Sequence, residues 1–267
     1  MLLNYNILEL ISEGSFGKVF KAQHKRTNEL VAIKIDNNEN ESNINTLKNE
    51  AKIYYYLKDN HCFPTLRGYG VYNNRHFLIM NLLGESLAER VQQLTTFSLN
   101  TTLLIGIQMI NILQVLHEND LLHRDLKSSN FLFGLNTNKL FLIDFGLSKR
   151  FCYTGAHIPL KRNTKLIGSA NFVSINVHLH IEPSRRDDIE SCLYIILFML
   201  LGKLDWFFVA DIQKIIELKQ ELTNDESTVP IWFKNLLVYV RQLEFQEMPN
   251  YEHLIQVMET ELKYITV

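Results

Sequence analysis

Four short stretches of the chain hold residues whose types and spacing could do chemistry. The densest is Leu122-His123-Arg124-Asp125-Leu126-Lys127-Ser128-Ser129-Asn130. Asp125 and Asn130 lie five apart in one short loop, close enough for one to face a hydroxyl and the other a metal ion. Lys127, two residues after the aspartate, can neutralise charge on a phosphoryl group in transfer. Nineteen residues after Asp125, the apolar run Leu142-Ile143 ends in Asp144-Phe145-Gly146. That carboxylate can hold Mg²⁺, a hard cation that prefers oxygen ligands and bridges phosphates. Val31-Ala32-Ile33-Lys34 carries a positive charge to the end of a strand, and Glu50 is the carboxylate available to hold it. Ile11-Ser12-Glu13-Gly14-Ser15-Phe16-Gly17-Lys18-Val19 is glycine-containing, so its backbone can approach a polyphosphate and bond it through N–H groups. Singly, the glycine stretch also reads as an ordinary hairpin turn and Lys34 as a solvated lysine. The Asp125 stretch is far more specific.

The elements that must position these residues change character along the chain. Tyr5 to Ile11, Lys18 to Ala22, Leu30 to Ile35 and Val71 to Met80 are short, β-branched or aromatic, and separated by polar turns, which predicts strands. Between the third and fourth, Leu47, Ala51, Tyr54 and Leu57 recur at spacings of three and four, which predicts one amphipathic helix over about 45–58. The stretch from Asn81 to Ser86 reads as a connector. Beyond it the chain is helical: Thr102 to His117, Asp187 to Leu201, Trp232 to Leu243 and Tyr251 to Lys263. The fold class expected is α+β and bilobal, a small β-rich lobe with one helix followed by a larger helical lobe, with a cleft at the connector.

Composition agrees with a folded globular chain. Its 267 residues are 46% hydrophobic and 21% charged, which excludes whole-chain disorder, collagen and coiled coil. A net charge of −2, from 27 bases and 29 acids, argues against a nucleic-acid coat. Cys62, Cys152 and Cys192 are odd in number and lack metal-ligand spacing, so a reducing, cytoplasmic setting is expected, with nuclear access left open. The first six residues do not read as a signal peptide. The run Cys192 to Leu201 is half of the roughly 20 residues that span a bilayer and reads as a core helix.

In their order and context the four stretches resemble the motifs of the eukaryotic protein kinase superfamily, over essentially the full chain. Gly168-Ser169-Ala170-Asn171-Phe172-Val173-Ser174-Ile175-Asn176 and Ser184-Arg185-Arg186-Asp187-Asp188-Ile189-Glu190-Ser191 are similar to the casein kinase 1 family. So are Leu82-Leu83-Gly84-Glu85-Ser86-Leu87 and His157-Ile158-Pro159. The related vaccinia-type kinases usually carry Gly where Asp187 stands. The resemblance implies one protein kinase-like catalytic domain over 1–267, with an N-lobe to about 80, a hinge at 81–86 and a C-lobe from 87. It implies ATP and Mg²⁺ as cofactors. In that frame Ile11 to Val19 cover the phosphates, and Lys34, held by Glu50, binds the α- and β-phosphates. Ala32 and Leu132 sandwich adenine, Met80 backs the pocket and Leu83 offers hinge backbone. Asp125 is the catalytic base, supported by Lys127, and Asn130 and Asp144 hold Mg²⁺. Ser12 departs from the usual first loop glycine and Ser169 from the usual threonine. The stretch after Trp206 is shorter than usual, and no regulatory tail is expected.

Local charge adds a substrate expectation. Residues 145–186 hold seven bases (Lys149, Arg150, Lys161, Arg162, Lys165, Arg185, Arg186) against the single acid Glu182, so a +6 segment sits in a chain of −2. Such a patch favours acidic or phosphorylated protein substrates. The resemblance matches Arg185 and Lys219 to anion-binding positions. The competing reading pairs these arginines with Asp187, Asp188 and Glu190, and Asp188 reads as a support for the catalytic-loop backbone. The expected activity is a Ser/Thr protein kinase acting as a monomer, without nucleic-acid or membrane partners. The alternatives are a pseudokinase scaffold and a small-molecule kinase of related fold.

Overall fold

The computed structural model describes residues 2–14, 17–37, 41–224, 226 and 229–265. Ser15 and Phe16 of the glycine stretch lie outside them. The chain divides into two compact units, Met1–Glu85 with Leu132–Gly146, and Ser86–Phe131 with Leu147–Val267. The expected lobe boundary therefore has an exception. The segment that carries Leu132 and Asp144 belongs with the β-rich unit, although it follows Asp125 and Asn130 in sequence.

The first unit is a five-stranded antiparallel sheet of β1 (Tyr5–Gly14), β2 (Gly17–His24), β3 (Leu30–Ile35), β4 (Leu66–Tyr72) and β5 (Arg75–Asn81), in the order β1-β2-β3-β5-β4. One strand was expected over Val71 to Met80; two are present. Asn73 and Asn74 both take positive φ, 47° and 59°. Two such residues in succession make the tight turn of a hairpin, and asparagine tolerates that conformation better than most side chains.

The register sorts the sheet's two faces. Val19 pairs with Lys34, Lys34 with Leu78, and Ala32 with Met80, so these residues share one face. Ala22, Val31, Ile33, Phe77 and Ile79 form the cluster on the other, with Leu2, Tyr5 and Ile35 against it. Helix α1 (Glu41–Tyr56) buries Leu47, Ala51 and Tyr54 at the expected spacing, and Leu57 is buried just beyond its end. A hairpin of Phe131–Phe133 and Leu140–Leu142 completes this unit's β-structure. Phe133 bonds the connector twice, accepting from the Gly84 N–H and donating to the Glu85 carbonyl.

The second unit is helical: α2 (Leu87–Leu94), α3 (Leu99–Glu118), α4 (Ile175–His178), α5 (Arg185–Leu201), α6 (Ile212–Glu221), α7 (Ile231–Gln242) and α8 (Tyr251–Ile265). Three of these were not anticipated. For α2 the signal was legible: Ser86 accepts from the Glu89 N–H at 3.2 Å and Glu89 accepts from the Ser86 N–H at 2.7 Å, a capping box. Helix α3 is long and apolar enough to cross a membrane by length and composition alone. Here it packs against α5 and α8, and α5 is buried almost throughout.

The glycine stretch depends on one of its two glycines far more than on the other. Gly17 has φ 143°, and a Cβ there would lie 2.1 Å from the Ile35 carbonyl oxygen; nothing lies within 4 Å of a Cβ at Gly14. Gly17→Ala is therefore expected to destabilise by about 2 kcal/mol or more, through backbone strain and displacement of β3. Gly14→Ala is expected to change stability by less than about 1 kcal/mol. Urea denaturation of the two variants measures the contrast, and equal losses would show that the Ile35 approach does not matter.

Candidate active site

In the first unit one ammonium gathers two carboxylates. Lys34 Nζ lies 2.8 Å from Glu50 Oε2 and 2.9 Å from Asp144 Oδ1. Strand β3, helix α1 and the Asp-Phe-Gly segment are thereby tied at one point. Burial alone would favour the neutral lysine, but the two carboxylates outweigh it and hold the ammonium well above its ordinary range. Glu50 is pushed up to about 7, by burial first, with the Lys34 charge pulling it down and Asp144 pushing it further up. The buried set carries more carboxylate charge than one cation can offset.

Sequence reading took Tyr54 for a core residue, and the structure gives it a second task. Its hydroxyl bonds Glu50 and accepts the Asp144 N–H at 3.1 Å. The signal was its place four residues after Glu50, on the same helix face. Phe145 is fully buried, edge-on to Tyr54 at 5.0 Å and to Phe63 at 5.5 Å. Asp144 itself takes φ 69°. Ala32 and Met80 are buried, Leu83 and Leu132 are half-buried, and Ile11, Ser12, Glu13 and Gly14 are exposed along the edge strand β1. Lys18 pairs with Glu13 at 3.0 Å, and Asn37 Nδ2 donates to the Gly14 carbonyl at 2.9 Å.

In the second unit Asp125 is almost fully buried, and both its oxygens are engaged. Lys127 Nζ lies 3.0 Å from Oδ2, and the Ser169 hydroxyl donates to Oδ1 at 2.8 Å. Asn130 Nδ2 donates to the Asp125 carbonyl at 3.0 Å, which fixes the amide and leaves its oxygen off that bond. Ser169 was noted in the sequence only as a replacement for threonine. It reaches Asp125 because Gly168, at φ 102°, lets the chain run so close to the Arg124 carbonyl that a Cβ would sit 2.5 Å from it.

Asp188 does what the sequence suggested. Oδ2 accepts the His123 N–H at 2.7 Å, Oδ1 accepts the Arg124 N–H at 3.0 Å, and His117 Nε2 lies 3.1 Å away. Burial pushes its carboxyl up, yet the bonds and charge of its partners, His117 first, hold it below the ordinary range. The Ser-Ile-Asn and Arg-Arg-Asp-Asp motifs meet as well. Asp187 accepts from the Ser174 hydroxyl at 2.6 Å, Asn176 Nδ2 at 3.1 Å and the Ser184 N–H at 2.8 Å.

The two cations matched to anion-binding positions differ in depth. Lys219 is fully buried and donates to the Val173 carbonyl at 2.7 Å, so an anion in solution does not meet it. Arg185 stacks on Phe151, 4.8 Å from the ring centre, and donates to the Gln246 carbonyl. Of the other bases, Arg186 bonds the Leu243 carbonyl, Lys149 pairs with Glu182 at 2.6 Å and Arg150 with Asp120 at 3.2 Å. Lys161, Arg162 and Lys165 are exposed, and no ion pair among the described residues involves them.

Comparison with known proteins follows this geometry. The Protein kinase domain family matches residues 5–257. The chain is 34% identical, over 98% of its length, to casein kinase I homolog 2 of Schizosaccharomyces pombe. It spans 63% of that relative's length. The chain belongs to the protein kinase family and, within it, to the casein kinase 1 branch.

Two measurements check the local readings. Asp188→Ala leaves two buried N–H groups without an acceptor and is expected to cost about 3 kcal/mol in urea denaturation; a loss below about 1 kcal/mol would show that Asp188 is no such support. Burial, only partly offset by Glu190 and reinforced by the Arg241 charge, pushes Lys219 down to about 7 from its ordinary 10.5. Between those values the unfolded chain binds the extra proton, so this lysine makes stability rise with pH across that window. The stability of wild type relative to Lys219→Met should therefore climb from pH 7 to about 9.5, whereas a constant difference would contradict a lysine pushed down by burial.

Proposed function

We propose that the chain is an active Ser/Thr protein kinase that transfers the γ-phosphate of ATP to acidic or already phosphorylated proteins. The observation that carries this reading is the full set of charged residues in working contact: Lys34 held by Glu50 and Asp144, and Asp125 held by Lys127 and Ser169. A scaffold has no need of either set.

The roles follow from the chemistry. Asp125 accepts the proton of the substrate hydroxyl and aims it, while Lys127 offsets charge on the phosphoryl group. Lys34 meets the α- and β-phosphates, and Ala32, Met80, Leu83 and Leu132 surround adenine. Ile11 to Val19 lie over the phosphates. Asn130 and Asp144 offer only oxygen donors, which suits Mg²⁺, an ion that takes most of its ligands from phosphates and water. Among the described residues no group of three or more His, Cys, Asp or Glu is arranged to hold a metal, so the donor set fits an ion arriving with the nucleotide. When bound, the ion would neutralise phosphate charge. Every step above is a task of the side chains themselves.

Ser/Thr preference is read from Lys127 two residues after Asp125. The acidic preference rests on Lys161, Arg162 and Lys165 rather than on Arg185 and Lys219. Transfer of labelled phosphate from MgATP to an acidic serine peptide tests the proposal. Wild type should phosphorylate it, and Asp125→Asn should lose at least ~100-fold. Charge reversal at Lys161, Arg162 and Lys165 should raise KM for the acidic peptide more than for a neutral one. Silence of wild type with both peptides would instead favour the scaffold.

A further inference from the structure

The segment after Gly168 is fastened from two sides. On one side Ser169 gives its hydroxyl to Asp125 at 2.8 Å. On the other, three carbonyls of the following residues are taken by buried donors. Lys219 Nζ lies 3.4 Å from the Ala170 oxygen and 2.7 Å from the Val173 oxygen, and Trp206 Nε1 donates to the Asn171 oxygen at 2.7 Å.

Lys219 is an unusual choice for such a task. No salt bridge among the described residues includes it. Its ammonium is met by those two carbonyls, by His178 Nε2 at 3.1 Å, and by the faces of Tyr194 at 4.7 Å and Trp206 at 5.4 Å. Burial and the Lys219 charge hold His178 down at about 4, so its ring is neutral. Arg241 grips the same residue from behind. It donates to the Lys219 carbonyl at 2.7 Å and to the Tyr194 hydroxyl at 3.1 Å, and it pairs with Glu190 at 3.2 Å. An ammonium without a carboxylate partner is costly to bury. A neutral chain of the same length would fill the space, but only a donor can fix both carbonyls.

We infer that Lys219 is a positioning residue for the protein substrate: from beneath, it sets the path of residues 169–173 and so the placement of Ser169 against Asp125. This rests on the kinase reading, in which those residues are part of the platform where a substrate peptide lies. Lys219 touches neither substrate nor nucleotide. Its effect therefore falls on peptide binding and hydroxyl alignment, while ATP, assigned to residues of the other unit, is left alone.

The test is Lys219→Met, which keeps the chain length and apolar contacts but removes the donor. KM for an acidic peptide should rise, and kcat fall, by ~10-fold or more, as misplacement of a reacting group predicts. KM for ATP should stay within about twofold. Amide hydrogen exchange at 169–173 should speed by ~10-fold or more while α3 is unmoved. Trp206→Phe, which removes the donor to Asn171 and keeps an aromatic ring beside Lys219, should show the same separation to a smaller extent and serves if the first variant does not fold. Unchanged peptide constants, or peptide and ATP constants moving together, would overturn the assignment. Should wild type transfer no phosphate, the kinase reading fails, and the exchange at 169–173 still decides whether Lys219 anchors the segment.

Discussion

The structure of the first unit turns on a single ammonium. Lys34 reaches Glu50 and Asp144 at under 3 Å, and these three residues come from a strand, a helix and a loop that are 16 and 110 residues distant in sequence. None of the three elements is held in place by its own hydrogen bonds alone. The contact is also expensive, since it buries charge. It persists because Tyr54 bonds Glu50 and the Asp144 backbone together, and because Phe145 seals the assembly against Tyr54 and Phe63. Apolar packing thus supports a polar arrangement that would not be stable in isolation.

The second unit solves the same problem with carboxylates that accept from the backbone. Asp188 holds the His123 and Arg124 amides, and Asp187 gathers Ser174, Asn176 and Ser184. Both sit in the first turn of α5, a helix buried nearly end to end. That base fixes the loop that carries Asp125 and the segment around Ser174. Asp125 is then approached from its own loop by Lys127 and from the far segment by Ser169. Motifs that look separate in sequence are two halves of one contact.

Much of this was legible beforehand, for physical reasons. Periodicity revealed α1 and the four long helices of the second unit because one face, or the whole C-terminal part of α5, is apolar. Charge and element order offered Glu50 only as a candidate for Lys34; the resemblance to protein kinases implied the partnership. What escaped notice had weaker local signals. The Asn73–Asn74 turn was read through as strand, since both flanks are β-forming. The short helix α4 and the polar-rich α6 lack a long apolar repeat. Tyr54 was hidden because an apolar helical spacing does not announce a hydroxyl. The depth of Lys219 was not legible because sequence gives a charge but not its burial: it is bound to backbone carbonyls, partners that no side-chain pattern records.

The central claim is that the Lys34 contact exists to serve phosphoryl transfer. Single-turnover transfer from MgATP to an acidic peptide, compared between wild type and Lys34→Met, measures it directly. Loss of a preorganised cation at the phosphates predicts a rate lower by ~100-fold or more in a variant that remains folded. A folded Lys34→Met protein that transfers phosphate at the wild-type rate would contradict the account.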